Sequence, residues 1–207
     1  MALAFRYFFI VKQNTQHENA RVVTEKLTRE IAVNQPVIGQ LKDILIQNQN
    51  PSFNTLLIDT KYPYYIFSNK ISIFWSKSDF TPNYRDLLGD FSLGYVKTVR
   101  GKFIAQKEAF MHQQRLYEIV FMIPLTEEFS IVNKYLKNTH NSQIFTDLNF
   151  EITHQSTQSE FEPILIGEKE LFSIHFGNTY ANSEVSERNV LVAVSYTHLT
   201  LPTIYSV

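Results

Sequence analysis

Cysteine is absent from these 207 residues. That excludes disulfides, thiolate metal sites and cysteine nucleophiles, although it assigns no compartment. Glycine is scarce too. The six glycines are scattered and form no Gly-rich loop to cradle a phosphate, so no nucleotide site is expected within this stretch of chain. No serine lies in a G-x-S-x-G elbow. His17, His112, His140, His154 and His175 show neither H-x-x-x-H nor H-x-H spacing, and no metal site is expected. Charge of one sign is not in excess either. The formal net charge is −1, which leaves no electrostatic case for a nucleic-acid partner. Hydrophobic residues, by contrast, make up 44% and charged residues 19%, the balance of a globular chain. Aromatics reach 14%, with 17 Phe and 11 Tyr, which suits sheets and binding surfaces. The length is enough for one domain with a proper core.

The organising stretch is Leu116–Leu136, LYEIVFMIPLTEEFSIVNKYL. Tyr117, Ile119, Phe121 and Ile123 fall on one face at period two, and Val120 and Met122 on the other. Both faces are apolar, which predicts a central strand covered on both sides. Pro124 lacks an N–H and is expected to end that strand. A short helix should follow, with Thr126 as N-cap, Glu127 and Glu128 in the first turn, and Phe129, Val132 and Leu136 as its stripe. Adjacent helix positions point apart, so Glu127 and Glu128 read as a dipole-favoured first turn rather than an acid pair.

Upstream, Met1–Val11 is apolar except for Arg6, and is shorter than the roughly 20 residues a bilayer-spanning helix needs. It reads as the stub of a membrane helix, with a weak signal h-region or a buried helix as alternatives. From Asn14 to Gln47 the pattern is helical: Ala20, Val23, Leu27, Ile31, Ile38, Leu41 and Leu45 keep 3–4 spacing. Glu25 and Arg29 form an i,i+4 pair. Asn34 breaks the stripe and Pro36 should kink the helix. The stripe is expected to pack on this domain's own sheet; pairing of the N-terminal half with its copy in a dimer is the alternative.

Residues 53–176 read as a sheet with short helices. Thr55–Thr60 is placed as a first short strand. Tyr64–Ser68 and Ile71–Ser76 make a hairpin over Asn69-Lys70, with Ile71, Ile73 and Trp75 on one face. Tyr84–Leu88 gives one helical turn that stops at Gly89. Phe91–Val99 is a strand, turned back by Arg100-Gly101-Lys102 into a return strand carrying Phe103, Ala105, Ala109 and Met111. Lys137–Ser142 and His154–Glu160 read as loops, and Phe150–Ile152, Pro163–Ile166 and Leu171–Phe176 as short strands. The expected fold class is α+β: a PAS/Cache-like antiparallel sheet of five or six strands with a long N-terminal helix packed on it.

The runs FWSKSDF (Phe74–Phe80), FSLGYVKTVRGKF (Phe91–Phe103), YEIVFMIPLTEEFSIVNKYL (Tyr117–Leu136) and Phe145–Ile152 carry a resemblance. Together they are similar to the extracytoplasmic sensor region of membrane-bound sensor histidine kinases of Bacteroidetes-type bacteria. The matching features are Phe74-Trp75-Ser76 at a strand end, the Ile123-Pro124 step, and Asn133-Lys134-Tyr135-Leu136. The resemblance covers roughly residues 15–190, and its motifs are structural. It implies a sensor domain over 14–190, with a second membrane helix beginning at 191–193. The region would be periplasmic, on the bacterial inner membrane. A homodimer of the full-length protein, membrane attachment through flanking helices, a response regulator as partner, and ATP with Mg in a kinase domain beyond this chain are implied as well. No cofactor is implied within the chain itself. In PAS-like and Cache-like sensors, two strands and their connecting loop line the ligand pocket. By that resemblance Trp75, Arg85, Tyr95, Lys97 and Arg100 are the candidate ligand contacts, with flat apolar faces and cations for an anionic group. The signal would be a small molecule or a protein. The alternative is a free-standing secreted or surface binding domain without kinase activity. No residues support a small soluble enzyme.

The last residues, Val194–Val207, read VSYTHLTLPTIYSV. Val194–Thr203 equals the translation of a transposase-type sequencing adapter, GTC TCT TAT ACA CAT CTG ACG CTG CCG ACG. Ile204 to Ser206 would span its variable index, and Val207 would open the constant stretch that ends in an in-frame stop. The alternative is a genuine Thr-Leu-Pro-Thr tail. His198 and Pro202 therefore carry no argument. Long-read sequencing of the source locus across codons 190–210, without transposase adapters, is expected to show the frame continuing past Ala193 into an apolar segment. A genuine stop after Val207 would remove both the adapter reading and the kinase assignment.

Overall fold

The computed structural model describes residues 2–48, 50–78, 80–129, 137–146 and 149–177, with side chains described from Thr15 onward. Helix α1 (Ala2–Ala32) and helix α2 (Gln35–Gln47) are one bent helical arm. The break falls at Val33-Asn34, because Pro36 sits in the first turn of α2, where its missing N–H is not needed. All seven residues of the apolar stripe, from Ala20 to Leu45, are buried in the chain's own core. Glu25 bonds Arg21 from the turn before rather than pairing with Arg29.

Five strands form an antiparallel path in the order β2 (Ile71–Trp75), β1 (Tyr64–Ser68), β5 (Arg115–Glu127), β4 (Gly101–His112), β3 (Leu93–Thr98). A two-residue strand β6 (Thr139–His140) pairs with β5 beyond the start of β1 and makes the sheet six-stranded. The expected α+β, PAS/Cache-like arrangement is therefore the one observed. Added to it is a second, three-stranded sheet: β7 (Phe150–Thr153), β9 (Lys169–Phe176) and β8 (Glu162–Ile166), in the order β7-β9-β8. The β1–β2 and β4–β5 hairpins turn on Asn69-Lys70 and Gln113-Gln114, all four with positive φ, as two-residue hairpin turns require.

Several local expectations are corrected. Phe53–Leu56 is a helical turn, α3, rather than part of a strand, because Ser52 caps it by accepting from Thr55 N–H. Strand β5 does not stop at Pro124 but runs on to Glu127. Met122 N–H donates to Pro63 O at 3.0 Å, so Pro124 faces the same side, past the end of β1, where no ladder bond is lost. Its carbonyl accepts from Asn141 Nδ2 at 3.0 Å. Thr126 to Phe129 are accordingly not a helix start; Val132 and Leu136 lie outside the described residues. The β3–β4 turn is Val99-Arg100, since Thr98 pairs with Gly101. Gly101 has φ +129, and a Cβ there would lie 2.0 Å from Thr126 O, which demands glycine. Finally, β2 slips register at a bulge, so Ile71 pairs with Ser68 and Trp75 with Tyr65. Ile71 and Trp75 thus stand on opposite faces.

The two faces of β5 seed two cores. Tyr117, Ile119, Phe121, Ile123 and Leu125 join α1, α2 and the small sheet in the larger one. Val120 and Met122 join Tyr65, Phe67, Val96, Phe103, Ala105 and Leu87 in the smaller. Its cover is the segment between β2 and β3, whose one-turn 3-10 helix is Tyr84–Leu87. That cover is fastened by buried charge. Lys107 and Glu118 pair at 3.4 Å with side chains only 6% and 5% exposed. The Lys107 ammonium also donates to Leu87 O (3.1 Å) and Gly89 O (2.6 Å) and lies 4.3 Å from the Phe91 ring centroid. Glu118 accepts from Tyr84 Oη at 2.5 Å. A second network ties the end of α1 to the sheet: Glu30 accepts from Lys61 (2.5 Å) and Tyr62 Oη (2.6 Å), and Asn141 donates to Tyr62 Oη (3.2 Å).

Burial and the hydrogen bond to Glu118 push the Tyr84 phenol up to about 12. The unfolded chain loses that proton near the ordinary value of about 10. Between about pH 10 and 12 the folded state binds more protons than the unfolded one, so stability falls as pH rises through that window. Denaturant midpoints measured from pH 9 to 12 are expected to fall less steeply for Tyr84→Phe than for the parent chain.

Candidate functional site

The β3–β4 hairpin has a two-residue loop, and that loop length fixes what faces what. Thr98 pairs with Gly101, so Lys97 pairs with Lys102 and Tyr95 with Ile104. Ile104 belongs to the larger core, on the opposite side from Val96 and Phe103. Tyr95, Lys97 and Lys102 therefore share the face on which the small sheet lies. Between that face and β7 is a cleft of about 560 Å³. One wall is Tyr95, Lys97 and Lys102; the other is the run from Glu151 to His154. The volume lies in the range of small-molecule pockets.

The two walls meet through aromatic rings. Ring centroids of Tyr95 and His154 are 5.5 Å apart, and those of Tyr95 and Phe172 are 6.2 Å apart. Burial, aided by the nearby Glu128 carboxylate, raises the Tyr95 phenol above its ordinary range, so it is a neutral donor at physiological pH. Ile152 is buried and supplies an apolar patch. The electrostatics come from the lysines. Lys97 is exposed and has neither an ion pair nor a hydrogen bond among the described residues. Lys102 is only 3.9 Å from Glu128, a loose pair with the lysine side chain 20% exposed.

The cleft brings together two of the five residues expected to contact a ligand, Tyr95 and Lys97. Arg100 is close in sequence but turned away. It sits in the hairpin loop with its guanidinium 4.8 Å from the Phe129 ring centroid, and its carbonyl accepts from Glu128 N–H. Arg85 is exposed on the 3-10 helix that covers the smaller core, on the other face of the sheet. Trp75 is on β2, at the far edge from β3, 42% exposed and edge-on to Phe53. Strand order separates Trp75 from the cleft and the sheet itself separates Arg85, so the expected five-residue pocket does not form.

Lys102, Glu151, Thr153 and His154 were not legible as site residues. Placing Lys102 inside a three-residue turn hid its register with Lys97. A two-residue loop after Thr98 would have revealed the pair. Nothing local marks β7 as the facing wall, because that depends on the packing of the second sheet. No protein family, curated protein or solved structure matches this chain.

Trp75 is the single tryptophan and stands away from the cleft. Occupation of the cleft is expected to leave tryptophan emission unchanged, and Trp75→Phe is expected to retain the parent affinity within about twofold, as for a distant independent site. Fluorescence and calorimetric titration of the two proteins check this.

Proposed function

We propose that this chain is the extracytoplasmic signal-sensing domain of a transmembrane two-component sensor histidine kinase, with the Tyr95–His154 cleft as its ligand site. The observation that carries the reading is mechanical. Strand β7, one wall of the cleft, pairs with β9, and α1 packs on β8 and β9 of the same small sheet. Gln16 adds a two-way amide clasp, donating to Phe176 O at 2.7 Å and accepting from Phe176 N–H at 3.0 Å. A ligand that wedges the main sheet from β7 therefore moves the sheet on which the N-terminal helix rests. The ligand acts only through its different affinity for two positions of that helix. The resemblance to sensor histidine kinases supplies the output: the helix leads to the membrane, and the kinase chemistry with ATP and Mg lies in another domain.

Within this reading the chain itself has no catalytic step. Its partners are a small molecule or protein signal, a second copy in the full-length protein, and a response regulator reached through the kinase domain. The full-length product, reconstituted in liposomes, is expected to autophosphorylate on histidine with ATP and Mg, and to respond to ligand on the outer side. A product without phosphohistidine would leave a free-standing secreted or surface binding domain as the better account.

A further inference from the structure

We infer that the cleft binds a small organic anion with one acidic head group, a carboxylate or phosphate, held between Lys97 and Lys102, and a flat apolar body lying on Tyr95. The argument starts from a local conflict. Lys97 and Lys102 are directly opposite across the β3–β4 ladder and on one face. Such a pair has Cβ atoms about 4.5–5.5 Å apart, and like charges there destabilise the hairpin. Neither charge is well answered among the described residues: Lys97 has neither an ion pair nor a hydrogen bond there, and Lys102 has Glu128 at 3.9 Å. An anion set between the two ammonium groups would accept charge-assisted hydrogen bonds from both and remove the repulsion.

The rest of the cleft limits what is attached to that anion. Glu151 on the facing wall and Glu128 beside Lys102 confine the positive field to the head-group end. A molecule charged along its length is disfavoured there. Tyr95, tilted by 42° against His154 with ring centroids 5.5 Å apart, lines the cleft with an aromatic ring, and buried Ile152 offers an apolar surface. The volume of about 560 Å³ exceeds what a bare inorganic anion fills.

This inference rests on the cleft being the ligand site of the sensing reading, and the two are separable. In calorimetric titrations of the purified chain, benzoate and phenyl phosphate are expected to bind and neutral benzamide is not. Lys97→Met and Lys102→Met should each weaken benzoate by about tenfold or more, as loss of a charge-assisted hydrogen bond does. Lys97→Arg should restore it. The ligand-free melting temperature of each Met variant should equal or exceed that of the parent, because the like-charge contact is gone. Benzamide binding as tightly as benzoate, or benzoate binding unchanged in both Met variants, would overturn the inference. The chain has no native cysteine, so spin labels at Glu18→Cys on α1, beside the Gln16 clasp, and Gln114→Cys at the β4–β5 turn report the helix position in the same titration. Benzoate binding with an unchanged label distance would uphold the anion site and remove the helix-coupled sensing reading.

Discussion

Strand β5 has apolar side chains on both faces, so it is stable only if it is covered twice. Phe121 and Ile123 are fully buried on one side, Val120 and Met122 on the other. Each such side chain is worth roughly 1.5–3 kcal/mol when removed from water. The two covers are unlike. One is thick: the bent helical arm and the small sheet. The other is a single stretch of chain with one helical turn, too thin to be held by apolar contact alone. This is where Lys107 and Glu118 matter. Their pair, the carbonyls of Leu87 and Gly89, and the Tyr84 hydroxyl fasten the thin cover to the sheet. Removing one partner of a buried pair typically costs about 3–5 kcal/mol, because the other charge stays buried and unpaired.

The thick cover brings the cleft into being. In the small sheet β8 and β9 carry α1, β9 also meets β3, and β7 faces the β3–β4 hairpin. The gap left between β7 and that hairpin is the cleft. Site and helix are thus two sides of one packing solution. The Glu30–Lys61–Tyr62–Asn141 network and the Asn34–Gln106 bond of 2.9 Å fix the other end of the helical arm to the main sheet. The arm is therefore anchored near its bend and carried by the small sheet along α1.

Period and spacing reveal the elements whose burial is one-sided or two-sided in a regular way. The seven-residue helical stripe, the alternation in β5 and the Asn69-Lys70 hairpin are all of this kind. Where a local rule has a tertiary exception, the sequence misleads. Pro124 is harmless because its missing N–H points past the end of β1, and only the pairing of β1 with β5 shows that. The bulge in β2 turns an even alternation of Ile71, Ile73 and Trp75 into side chains on two faces. The site was less legible than the fold. Tyr95 and Lys97 carry the right chemistry, but their counterparts come from residues more than fifty positions later and from a hairpin register set by one loop residue.

The bulge also bears on how the chain behaves in a crowd. Strand β2 is an edge with Ile71, Ile73 and Trp75 each at least two-fifths exposed, at 69%, 41% and 42%. An edge of that composition is a template for stacking strands from other copies. The slipped register breaks the even row of backbone donors and acceptors such stacking needs. Lys70 and Lys77 flank the strand, so an antiparallel second copy would bring like charges side by side. Straightening β2 by deleting the bulged residue would remove the first of these guards and leave an even edge open to strands of other copies.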